Sequence, residues 1–325
     1  MYTDFTTITI PEGVTIINNS CFEYCKSLTH VELPSALISI GEWAFYYTNI
    51  STITIPEGVT SIGNECFYRC SSLTSIQLPT SLMSIGDDAF SNTNISTIII
   101  PEGVTSIGEG CFKKCSSLTS IQLPTTIVSI GDETFLSTSI TRITIPSGVT
   151  YLGKACFFEC KTLTSVELPT TITTINYRTF YHTNISSIRI PSGVTSIGNE
   201  SFKACSSLTR VELPNTLVCI GDEVFSSHFN WEVRIIGFNV RIPLSSKIEN
   251  SVYSKSKLKT INIPEGVTRI GEGCFNECTS LTSISLPSTS NNIDCNAFYY
   301  TSISNIIIPE GVVSIGDNIF TGVNR

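Results

Sequence analysis

The amino-acid sequence predicts a mainly β repeat solenoid of about 14 rungs, each 22–23 residues long. Three observations carry that prediction. The 14 prolines follow one another at intervals that alternate between 23 and 22 residues along most of the chain, and each follows Ile or Leu. An apolar pattern recurs with the same period, as in Leu73-x-x-Ile76-x-Leu78-Pro79-x-x-Leu82-x-x-Ile85-Gly86-x-x-Ala89-Phe90. Hydrophobic residues make up 41 % of the chain, enough for a shared core, whereas one repeat alone cannot bury its apolar line and must stack on its neighbours.

Each element of the repeat has a physical reason. Ile76 and Leu78 alternate with Ser75 and Gln77, the period-two pattern of a strand with one buried face. Pro79 ends that strand because it has no N–H for a ladder. A second short extended segment is expected after the proline. Glycine follows at Gly41, Gly63, Gly86, Gly108, Gly131 and Gly153, and Asn18, Asn176 and Asp294 stand at the same place in other repeats. Those residue types tolerate a left-handed backbone, so positive φ is expected there. The segment around the Phe is too short for an ordinary helix, and a one-turn helical or 3₁₀ piece is expected.

The repeats alternate in kind, which doubles the period to 45. Odd repeats carry Cys-Phe-x-x-Cys, as at Cys66/Cys70, Cys111/Cys115, Cys156/Cys160 and Cys274/Cys278, and Ser201 breaks the pair with Cys205. Even repeats place Ala or Thr before the Phe and Thr after it, as at Ala44-Phe45-x-x-Thr48, and drop one residue before the next strand. These motifs resemble the leucine-rich repeat of BspA-like proteins over roughly residues 5–225 and 257–320. The chain is expected to form one solenoid over residues 1–325. The resemblance implies a right-handed curved array with a parallel sheet on its concave side. It also implies cell-surface adhesion, surface-antigen or host-protein-binding roles.

The 13 cysteines admit three readings. Zinc is disfavoured, because equivalent sulfurs two rungs apart lie about 9.5 Å from each other while tetrahedral ligands need under about 4 Å. Disulfides between rungs fail the same spacing, whose limit is about 7 Å between Cα atoms, although a pair within one rung could close. The third reading is buried thiols serving as small hydrophobes, the downstream one bonding backbone groups. That reading implies a reducing compartment or a shielded core.

No catalytic constellation stands out. His30, His182 and His228 lie in different repeats, with no nucleophile or carboxylate at motif spacing and no phosphate-binding loop. The expectation is a non-enzyme with no cofactor and no metal. Charged residues are only 14 % and the net charge is −8, which argues against nucleic acid as a partner. No apolar run is long enough to span a membrane, and the Met1–Thr7 stretch does not read as a signal peptide. By sequence the chain reads as cytoplasmic, by resemblance as surface-located.

Binding is expected on the outward side of the first strands, mostly bland Ser and Thr. The exception is a mixed-charge group, Arg142, Glu167, Arg189, Arg210 and Glu212, which either pairs with itself across rungs or forms the polar centre of a protein interface. The proline spacing fails over residues 226–259, where Phe229, Trp231 and Arg234 sit among further aromatic and basic residues. That segment reads equally as a binding loop or as a decayed repeat. Both ends read as uncapped, which allows end-to-end self-association. The function expected is a protein-binding scaffold or adhesin-type module. The alternative is an intracellular scaffold or regulatory subunit.

Overall fold

The structure, a computed structural model, describes residues 5–208, 210–212, 214, 216–217, 219–226, 234–236, 246–248, 250–255, 260–263 and 267–323. Its contacts divide the chain into two units, Met1–Leu163 and Thr164–Arg325, taken here in turn. Among the described residues there is no helix. The secondary structure is short strands joined by turns, stacked as a β-solenoid of parallel strands.

In the first unit every rung offers a three-residue strand before its proline and a two-residue strand after it. The two-residue strands form the longer ladder. Seven of them, from Ile16–Ile17 to Tyr151–Leu152, make one parallel sheet in rung order. The three-residue strands pair in twos instead: Thr7–Thr9 with His30–Glu32, Thr52–Thr54 with Ser75–Gln77, and Thr97–Ile99 with Ser120–Gln122.

The residue dropped in even repeats explains that pairing. Leading into a paired strand, the backbone bonds are short, 2.8 Å from Thr29 N–H to Thr6 O and 3.0 Å from Thr74 N–H to Ser51 O. Between pairs the equivalent bonds stretch to 3.2 Å from Ser51 to Thr29 and 3.4 Å from Ser96 to Thr74. Shortening the link by one residue pulls the strand away from its neighbour, so the 45-residue sequence period becomes a two-rung structural unit.

In the second unit Ser187–Arg189, Arg210–Glu212 and Arg234–Ile236 form a three-stranded parallel sheet, and Thr260–Asn262 pairs with Ser283–Ser285. The strand Ser246–Ile248 joins Val267–Ile270 with a register shift between Ser246 and Lys247. In the last turn the first strand is reduced to a single bridge between Ser283 and Asn305. About twelve turns are therefore regular, rather than the fourteen equivalent rungs that the prolines suggest.

The core is a column of aromatic rings. Phe22, Phe45, Phe67, Phe90, Phe112, Phe135 and Phe157 stack with centroids 5.3–5.9 Å apart and planes within 18° of parallel. In the second unit a column of the same kind runs from Phe180 to Phe202 and Phe225, through Tyr253, to Phe275, Phe298 and Phe320. Tyr253 fills the Phe place in the irregular rung, with Val252 buried beside it. This much of the 226–259 segment is an altered repeat that still supplies the core.

Two local expectations are corrected. The Phe segment is not helical: it is a run of β-turns, such as Tyr46 N–H to Trp43 O and Thr48 N–H to Phe45 O. Left-handed residues two before and two after the Phe, Trp43 (φ 54°) and Tyr47 (φ 60°), break any helical continuation. Alternate N–H groups of this turn donate to the next rung instead, as from Trp43 to Asn64 O and from Phe45 to Cys66 O.

The recurring glycine is not at positive φ. In the first unit the only positive-φ glycine among the described residues is Gly110, which occupies the place of Trp43. The glycine is needed for room. A Cβ on Gly108 would lie 2.5 Å from Gly86 C, and one on Gly153 would lie 2.2 Å from Gly131 O. Rung backbones approach too closely there for a side chain.

Candidate functional surfaces

Among the described residues the strand face predicted to bind is mostly exposed. Most three-residue strands bury the middle side chain and present the outer two, the middle one being half-buried in Thr7–Thr9 and Ser120–Gln122. Arg142 lies exposed on the strand Arg142–Thr144 of the first unit. Glu167, Arg189, Arg210 and Glu212 belong to strands of the second unit. Register places Arg189 opposite Glu212, and their side chains meet with Arg189 Nε 3.7 Å from Glu212 Oε2. Arg189 is 86 % exposed, so this is a solvated ion pair worth no more than about 1 kcal/mol. Arg210 and Arg234 are placed by their backbones, as register partners on adjacent strands, and their side chains lie outside the description. Phe229 and Trp231 lie outside the described residues.

Ten of the described cysteines belong to the core, while Cys21 is exposed and Cys295 half-buried. Four downstream thiols donate to the carbonyl of the preceding rung's Phe, Cys70 Sγ to Phe45 O at 3.0 Å, Cys115 to Phe90 at 3.0 Å, Cys160 to Phe135 at 2.9 Å and Cys205 to Phe180 at 2.9 Å, and Cys278 donates to Tyr253 O at 2.9 Å. The even-rung Thr lies against the same sulfur, with Thr93 Oγ1 3.3 Å from Cys115 Sγ and itself donating to Phe90 O. The Cys and Thr columns are thus one network around the Phe carbonyl. Burial pushes these four thiols up to about 11. Ser201, in place of a Cys, is fully buried and donates to Asn176 O at 2.8 Å.

A second surface escaped the sequence reading. Beside the Phe column of the first three rungs, Tyr24, Tyr46, Tyr47 and Tyr68 form one cluster. Tyr46 stacks on Tyr68 with centroids 5.1 Å apart, and Tyr24 meets Tyr46 at 5.3 Å and Tyr47 at 5.6 Å. Burial and a hydrogen bond with Tyr24 push the Tyr46 phenol up to about 12. Lys26 Nζ lies 4.8 Å from the centroid of the Tyr47 ring, and the Arg69 guanidinium lies 5.6 Å from it and 5.5 Å from that of Tyr68. The signal was present in the two positions between Phe and Cys or Thr, which read Glu23-Tyr24, Tyr46-Tyr47 and Tyr68-Arg69. Only aligning the rungs shows that they touch.

Among the described residues no three His, Cys, Asp or Glu side chains gather as a metal site, and no helix is long and apolar enough to cross a membrane.

Comparison with known proteins decides the family. The family described as BspA type leucine rich repeat region matches residues 1–119, 44–154, 84–206, 128–245 and 246–325. The chain belongs to the BspA-type leucine-rich repeat family. Solved structures of leucine-rich repeat proteins are similar to this BspA-type chain. One from Bacteroides ovatus is 28 % identical, with a TM-score of 0.76 over 90 % of this chain and 84 % of the other. A leucine rich cell surface protein from Faecalibacterium prausnitzii is also 28 % identical, with a TM-score of 0.60 over 99 % and 92 % of the two chains. The pneumococcal vaccine antigen PcpA shares the fold at 19 % identity and a TM-score of 0.55, over 99 % and 88 %. No curated protein matches the chain.

Proposed function

We propose that this BspA-type protein is a non-catalytic protein-binding module that engages its partner through the exposed side of the three-residue strands. The observation that carries this reading is the strand face itself. It is exposed on alternate residues through rung after rung and is mostly uncharged. At Ser187–Glu212 it bears a mixed-charge centre, where Arg189 and Glu212 are already aligned by the ladder. Short side chains on such a face cost little entropy to cover, and Arg is enriched in interface hot spots.

A surface location is supported by the 28 % identical cell surface protein of F. prausnitzii. The thiols do not favour the intracellular alternative, because ten of them are buried and so shielded in any compartment. The residues 226–259 remain part of the proposal through Trp231 and Arg234.

The test is affinity capture from the native cell with quantitative comparison of variants. A protein captured by the wild type and lost with Arg189→Ala/Glu212→Ala, at unchanged melting temperature, is the expected result. Identical capture by the wild type, by that double variant and by Trp231→Ala/Arg234→Ala contradicts the proposal.

A further inference from the structure

In the tyrosine cluster of the first three rungs the cations are held on aromatic rings. Several other basic side chains sit beside carboxylates: Lys113 with Glu133, Lys203 with Glu223, Arg269 with Asp294, and Arg178 with Glu200, although Arg178 also lies over the Tyr177 and Tyr181 rings. Lys26 and Arg69 have no carboxylate within 4 Å among the described residues, and lie over tyrosine rings instead. A cation on an aromatic face keeps its outer side open to an anion. Both charges lie near the one Tyr47 ring, which places them within about 10 Å of each other. Tyr24, 53 % exposed, supplies apolar area next to them. Tyrosine and arginine together, in rigid contact, are the composition of an interface anchor.

We propose that Lys26 and Arg69, held on the Tyr24–Tyr46–Tyr47–Tyr68 cluster, form a docking site for an extended acidic peptide segment of a partner protein. In an extended chain, side chains at positions i and i+2 share a face about 7 Å apart, a spacing that lets one carboxylate reach each cation. A long sulfated glycan fits less well. Two cations on a chain of net charge −8 do not make the basic track that a polyanion requires. This site is separate from the strand face, and its binding is independent of Arg189 and Glu212.

Fluorescence anisotropy of a fluorescein-labelled peptide, Thr-Glu-Thr-Glu-Thr, titrated with the full chain tests the proposal. Thr-Gln-Thr-Gln-Thr and heparin serve as the comparison ligands. The expected result is saturable binding of the acidic peptide below about 1 mM, weakened roughly tenfold or more by the Gln peptide, by Lys26→Gln and by Arg69→Gln. These variants melt with the wild type, and Arg189→Ala/Glu212→Ala binds the peptide normally. The proposal is overturned by no saturation up to about 1 mM, by equal affinity for the two peptides, or by unchanged affinity in both charge variants. Heparin binding without peptide binding assigns the patch to an acidic glycan and overturns it equally.

Discussion

Replacing Phe112 by Ala is expected to lower the free energy of unfolding by about 3–5 kcal/mol. Phe112 is fully buried, with Phe90 at 5.5 Å on one side and Phe135 at 5.9 Å on the other. Removing its ring opens a cavity in the middle of the column, and both flanking rings lose a stacking face. The neighbouring rungs cannot collapse to fill it, because their backbones already touch at Gly108 and Gly131. Urea unfolding followed by circular dichroism checks this. A loss below about 1 kcal/mol contradicts the column as the main core.

Raising the pH from 9 to 11 is expected to unfold the protein, and the buried thiols are the reason. Cys70, Cys115, Cys160 and Cys205 have an ordinary value of 9.0 in the open chain and about 11 in the fold, through burial. Their folded values are raised, so the stabilisation they bring is complete below pH 9. It is lost as the pH climbs towards 11, where only the unfolded chain releases the protons. A shift of about two units corresponds to roughly 3 kcal/mol per thiol, so four approach the whole stability of an ordinary domain. The check is a series of urea midpoints between pH 8 and 11 for the wild type and for a variant with all four changed to Ala. The variant starts less stable but falls less steeply. Parallel curves contradict the thiol account.

The repeat, its strands and its aromatic column are legible in the sequence because each rests on a local rule. Pro79 ends a strand wherever it stands, and the alternation of Ile76 and Leu78 with polar residues shows which side is buried. The glycine place misleads because Gly serves two needs, a left-handed backbone and close approach, and sequence does not separate them. In this fold the left-handed places go to Trp43, Tyr47, Glu65 and Arg69, whose side chains give no such signal. The exchange of Cys for Thr is visible as a pattern, but its cause, one Phe carbonyl shared across two rungs, is not. The paired strands follow from a dropped residue that sequence shows plainly, although its effect on hydrogen-bond length needs the fold. Of the expected binding residues, Arg189 and Glu212 come together through register alone. The Tyr24–Tyr68 cluster was hidden because its members lie a full repeat apart.

The central claim is that consecutive repeats lie side by side in register. Nitroxide labels at Thr52→Cys and Ser75→Cys, with the two described thiols that are not buried changed by Cys21→Ser and Cys295→Ser, test it most directly. Those two sites face each other on adjacent parallel strands, at a spacing of about 4.8 Å. The account predicts strong spin–spin broadening for this pair and for Thr97→Cys with Ser120→Cys. Spectra equal to the sum of the singly labelled proteins would contradict it.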